Sequence, residues 1–219
     1  MKKNQDYKNA ALAALKGNWA PAVVSTIVLF AMSFLIMIPA LLEGGQVADH
    51  IVSSYIVNLT VILFFPVLIY YPICMVGYTN AFKQLLVEGD SKVTRNMFSN
   101  TFKGYWNNAL GVVLMILFVY LWMLLFIIPG IIKGFAYSMT PYILKDNPEL
   151  SANQAINLSV KMMKGHKFDL LCLCLSFIGW GLLSILTLGI GYFWLMPYMY
   201  TSMAAFYQDV KNDYLTKNN

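Results

Sequence analysis

Lys133 stands in the run Ile131-Ile132-Lys133-Gly134, an ammonium inside an otherwise apolar stretch. A lysine at the centre of a bilayer costs ~2.5 to 3.5 kcal/mol and less near the interface. It therefore either snorkels to headgroups or faces inward and holds an anionic ligand. Tyr137, Tyr142 and Tyr198 offer phenol hydroxyls on the same apolar segments and suit a closed, partly polar interior. Lys164, His166 and Lys167 form a second cluster, which joins two ammoniums to the side chain that titrates closest to neutral pH. These seven residues are the candidate ligand-binding set. Asp169, beside the second cluster, is expected to pair with a lysine and favour a helix N-terminus.

Catalytic patterns are absent from the sequence. There are two histidines, His50 and His166, and no Gly-x-Ser-x-Gly, His-Glu-x-x-His or phosphate-cradling glycine loop. Cys172 and Cys174, two apart on a helix, point to nearly opposite faces, which argues against joint metal ligation. With Cys74 they make an odd count, which argues against a disulfide framework. The expectation is a protein that is not an enzyme and holds no metal or cofactor.

The elements that must carry these residues are membrane helices. With 59% hydrophobic and 11% charged residues and a mean hydropathy of +0.62, the chain cannot coat a soluble surface. Roughly 20 apolar residues cross the hydrocarbon core. On that measure the spans are 19–42, one bent helix within 51–87, 106–128, 131–144, 170–188 and 192–207. Pro129-Gly130 and Gly189-Ile190-Gly191 read as tight reversals between neighbouring spans. The first span is too long for a signal peptide and lacks a cleavage pattern.

Six spans place both termini on one face, and all Lys and Arg except Lys133 fall on that face. The positive-inside rule makes it cytoplasmic. The net charge of +5 then points to anionic headgroups on the cytoplasmic side and not to nucleic acid, because the charges flank apolar spans. A membrane protein partner is a further expectation, and the oligomeric state is left open.

Three signals divide the chain: Lys16-Gly17-Asn18-Trp19, Lys103-Gly104-Tyr105-Trp106 and Lys164-Gly165-His166-Lys167. Each follows a short amphipathic helix and precedes an apolar hairpin. Gly17, Gly104 and Gly165 stop the helices, while Trp19 and Trp106 anchor at the interface. The expected architecture is all-α and a single membrane domain, 1–219. It comprises three hairpins, each preceded by an interfacial helix, in repeats 4–90, 91–150 and 151–212. In the surface helices the apolar faces are Tyr7, Ala11, Ala14 and Leu15, then Met97, Phe98 and Phe102, then Ala152, Ala155, Ile156, Ser159, Val160 and Met163. Asn4 or Asp6, Ser91, and Ser151 with Gln154 are the expected caps. A second alignment starts at Pro72, Pro129 and Pro197, with Gly77, Gly134 and Ser202 five positions on and Phe82, Met139 and Tyr207 ten positions on. It implies a pseudo-threefold packing of the even-numbered spans around small residues.

Several ordered runs carry a family resemblance: Ile128-Pro129-Gly130-Ile131-Ile132-Lys133, Tyr137-Ser138-Met139-Thr140-Pro141-Tyr142, Asp146-x-Pro148-x-x-Ser151, Met162-Met163-Lys164-Gly165-His166-Lys167 and Leu175-Ser176-Phe177-Ile178-Gly179-Trp180. The chain resembles the bacterial integral membrane family catalogued as domain of unknown function nine-seven-five. More distantly, its layout is similar to the membrane domain of some glycerophosphodiester phosphodiesterases, without their catalytic domain. The resemblance implies a bacterial inner-membrane location and no established activity.

Two functions fit these residues. One is a non-enzymatic membrane protein that binds or organises anionic lipid, a lipid-like ligand or a membrane partner. The other is a small transporter or channel with a path between the proline-bearing even-numbered helices. The first is preferred, since those helices offer tyrosines and a few hydroxyls and no continuous polar face.

Overall fold

The computed structural model describes residues 2–43, 74–102 and 104–218, and among these the regular elements are helices. They are α1 (Asn4–Leu15), α2 (Trp19–Glu43), α3 (helical over 74–88), α4 (Val93–Phe102), α5 (Tyr105–Leu125), α6 (Ile127–Tyr137), α7 (Thr140–Asp146), α8 (Ala152–Met162), α9 (Lys167–Leu175), α10 (Ile178–Leu186) and α11 (Tyr192–Asn218). Most of the expected second span, with Pro66 and Pro72, lies outside the described residues, as do His50 and Lys103.

Among the described residues, Tyr105–Leu125 and Lys167–Leu186 are long and apolar enough to cross a membrane. Asn4–Leu15 with Trp19–Ala31 qualifies as a pair bent by 99°. On α5, Leu117, Leu121, Leu124 and Leu125 point outward, as do Ile185 and Leu186 on α10. Helices that present such faces need lipid as solvent, because water would not tolerate so large an apolar surface. This is a helical membrane protein.

The three elbows share one backbone feature. Gly17, Gly104 and Gly165 have φ of +85°, +74° and +92°, left-handed values that a Cβ makes costly. Space is not the reason: a Cβ on Gly17 or Gly165 would touch nothing within 4 Å.

Several expected boundaries move. The α5–α6 reversal falls at Phe126, extended at φ −155° and ψ 134°, not at Pro129-Gly130. Pro129 sits in the first turn of α6, where its missing N–H is no loss. Gly130 lets α6 cross against the Met123 backbone, which a Cβ would meet at 2.8 Å from Cα. The expected fourth span is broken at Ser138-Met139, because Pro141 removes a donor and crowds the carbonyl one turn earlier. The expected fifth span has a similar break at Ser176-Phe177. There the buried Lys8 ammonium reaches across to donate to the Ser176 carbonyl at 2.8 Å.

The surface helices pack on the bundle. In α8, Ser151 and Gln154 form the expected reciprocal cap, and Ala152, Ala155, Ile156, Ser159 and Met162 are buried. The Ser159 hydroxyl ties α8 to α6 by donating to the Ala136 carbonyl at 2.8 Å. α1 buries Tyr7, Ala11 and Leu15 against α11, with its N-cap at Lys3 and Asp6 accepting the Lys3 N–H at 2.8 Å. α4 departs from expectation: Val93, Met97 and Thr101 face inward, Phe102 is exposed, and Asp90 in place of Ser91 receives Lys92 N–H and Asn96 Nδ2.

At the centre, α3, α7 and α11 meet in pairs. Tyr78 of α3 packs edge-on against Tyr200 of α11 at 5.0 Å, and Tyr142 of α7 stacks on Tyr207 of α11 at 4.8 Å. Asn80 Nδ2 of α3 donates to the Pro141 carbonyl of α7 at 2.9 Å. This convergence fixes the polar groups described next.

Candidate binding site

α7 ends on Asp146, where three donors from two other helices converge. Lys83 of α3 pairs with Oδ1, while the Lys211 ammonium (2.6 Å) and the Tyr207 hydroxyl (2.8 Å) of α11 donate to Oδ2. Both ammoniums also lie over the Tyr207 ring, 5.8 and 5.9 Å from its centroid. Burial pushes the Asp146 carboxyl upward, but the hydrogen bonds from Lys211 and Lys83 outweigh it and hold the group below its ordinary value. The result is an ionised clasp across three helices.

A cavity of about 290 Å³ opens beside the clasp. Its lining is unusual for so apolar a chain, with the amides Asn80, Gln84, Asn100, Asn107 and Asn108 joined by Lys83, Glu88, Lys145, Asp146 and Gly104. The two lysines and two carboxylates on these walls leave no net formal charge. Gln84 Oε1 accepts from Asn100 Nδ2 at 2.9 Å, bracing α3 to α4, and Asn107 Nδ2 donates to the Leu150 carbonyl at 2.8 Å.

Asn80 is the least satisfied of these groups. It is 1% exposed, and its Nδ2 donates to the carbonyls of both Val76 and Pro141 at 2.9 Å. Both amide hydrogens are thus used, which fixes the orientation of the group. Its Oδ1 is buried with no hydrogen-bond partner among the described residues. An acceptor left so costs about 1 to 3 kcal/mol unless a ligand or water supplies the donor.

The expected ligand-binding residues do not gather in one place. Lys133 lies over the Trp122 ring at 4.8 Å, a cation–π contact within the α5–α6 hairpin. Tyr137 joins Phe118 and Ile156 in a separate apolar cluster, Tyr142 stacks on Tyr207, and Tyr198 packs edge-on against Phe177 at 5.1 Å. Lys164 is exposed, Lys167 is half-buried, and His166 is buried at the start of α9. His166 Nε2 meets Asp213 Oδ2 at 3.0 Å, and its Nδ1 lies 3.5 Å from Asp169, which therefore faces the imidazole and not a lysine. Lys217 closes on Asp213 from the next turn of α11 at 2.5 Å.

The cavity residues escaped the sequence reading, though a signal was present. Asn80 interrupts an apolar run, and Asn107-Asn108 opens a span directly after an anchoring tryptophan. Amides at such places are costly and so mark interior sites. Among the described residues no group of three or more His, Cys, Asp or Glu side chains is placed to hold a metal ion.

A family model described as "Protein of unknown function (DUF975)" matches residues 46–214. No curated protein and no solved structure matches the chain.

Proposed function

The chain belongs to the DUF975 family, and we propose that it is a non-enzymatic binding protein of the bacterial cytoplasmic membrane, with both termini in the cytoplasm. Its ligand site is the amide-lined cavity. Anionic headgroups engage exposed lysines elsewhere on the chain, among them Lys16, Lys161 and Lys164.

The observation that carries the reading is Asn80, which lines the polar cavity and whose buried Oδ1 has no hydrogen-bond partner among the described residues. The six-span topology is part of the same proposal. It is supported by the pairwise contacts of α3, α7 and α11 and by the equal burial of the aligned Phe82, Met139 and Tyr207, all at 1% exposure or less. The left-handed glycine at each elbow supports a threefold repeat. Aromatic contacts between Tyr78 and Tyr200 and between Tyr142 and Tyr207 link the helices at the centre, which favours a closed site over a conducting path.

Native mass spectrometry of gently extracted protein tests the proposal. The expected result is a retained small molecule or lipid that is lost on Asn80→Leu. An empty protein that passes ions in proteoliposomes would contradict it.

A further inference from the structure

The ligand class follows from what the cavity asks for, an inference that rests on the proposed site. We infer that the cavity takes a neutral polyhydroxylated group, either a free sugar or polyol or the sugar headgroup of a neutral glycolipid. Asn80 needs a donor, since its two amide hydrogens are already held by the Val76 and Pro141 carbonyls. A group that only accepts, such as a phosphodiester, sulfate or an ionised carboxylate, cannot satisfy it.

Charge points the same way. Lys83, the cation best placed to attract an anion, is engaged by Asp146, and the formal charges on the cavity walls cancel. An anion would meet Asp146 and Glu88 without a net attraction, and a cation would meet Lys83 and Lys145. A neutral ligand avoids both costs.

The remaining amides accept and donate alike. Asn100 and Asn107 each use one Nδ2 contact to brace the walls, and Gln84 receives one of these through Oε1, which leaves its Nε2 as a donor. Hydroxyls, which donate and accept at once, match such a lining better than groups of a single polarity. A volume of about 290 Å³ gives room for a single sugar ring. That size lies at the small end of ligand sites.

The test uses full-length protein in lipid nanodiscs. Equilibrium dialysis with labelled glucose and labelled inositol measures the free-ligand arm. Native mass spectrometry of nanodiscs containing phosphatidylglycerol, with or without monoglucosyldiacylglycerol, measures the headgroup arm. Saturable binding in either arm, weakened about tenfold or more by Asn80→Leu and by Gln84→Leu and not displaced by inorganic sulfate, is the expected result. Gln84→Leu keeps the test decisive if Asn80→Leu does not fold, because Gln84 does not tie α3 to α7. No saturable binding in either arm, binding unchanged in the folded variants, or displacement by inorganic sulfate would overturn the inference. If polyols fail but another retained molecule is lost on Asn80→Leu, the ligand class is wrong and the proposed site stands.

Discussion

Tyr142 and Tyr207 stack with ring centroids 4.8 Å apart and planes within 16° of parallel, and the Tyr207 hydroxyl donates onward to Asp146. The stack joins α7 to α11 directly above the ionised clasp, so the apolar centre and the polar end of the bundle are one construction. Removing the Tyr207 ring takes away one of the three donors that hold the Asp146 carboxylate.

Breaking the clasp should therefore be expensive. Asp146→Ala strands two ammoniums, one of them only 12% exposed, and should destabilise the protein by about 3 kcal/mol. Lys211→Ala, at a side chain 34% exposed, should cost clearly less. Thermal unfolding in a mild detergent checks the order, and equal losses would argue against the clasp.

Acid should act through the same carboxylates. Asp146, Asp209 and Asp213 are all held below their ordinary value of 3.8 in the folded protein. At Asp209 the Lys2 N–H and the Tyr7 hydroxyl offset burial; at Asp213, Lys217 and His166 do the lowering. A depressed carboxylate contributes stability that is present above the unfolded value and is lost as pH falls through the folded one. The unfolding midpoint should stay level with respect to these groups down to about pH 4 to 5 and decline below, with a shallower decline in Asp146→Asn. A decline of equal depth in that variant would remove Asp146 from the account.

Backbone conformation predicts opposite signs for one substitution at two glycines. Gly165→Ala forces a Cβ onto a left-handed residue and should destabilise by about 1 kcal/mol. Gly181→Ala, inside α10 with nothing within 4 Å of the added carbon, should stabilise by about 0.5 to 1 kcal/mol. Equal effects in chemical denaturation would remove the backbone argument.

Gly130 is required for another reason. A Cβ there meets Met123 backbone, so Gly130→Ala should push α6 from α5 and lower the unfolding temperature, whereas Pro129→Ala should be nearly neutral. A distance measurement between spin labels on the two helices reports the displacement.

Much of the fold was legible because its signals are local. The Ser151-Gln154 cap, the α8 stripe and the glycine elbows need only near neighbours to be recognised. Pro129-Gly130 misled because the same pair serves a reversal or a helix start, and only the extended Phe126 decides between them. The site was less legible still. Lys133 drew attention as a lone charge, yet Trp122 satisfies it from the preceding helix, while Asn80, Lys83, Asp146 and Lys211 come together from three helices that sequence spacing cannot bring together.

The central claim is that the amide-lined cavity is a binding site completed at Asn80. The most direct measurement is the side-chain carbonyl resonance of Asn80, in protein carrying isotope-labelled asparagine. It is recorded first in discs cut from the native membrane by a polymer and again after delipidation in detergent. The account predicts a shift at Asn80 between the two states, as Oδ1 loses its donor, with exposed Asn9 on α1 unchanged. An Asn80 resonance identical in both preparations, in protein that remains folded, would contradict it.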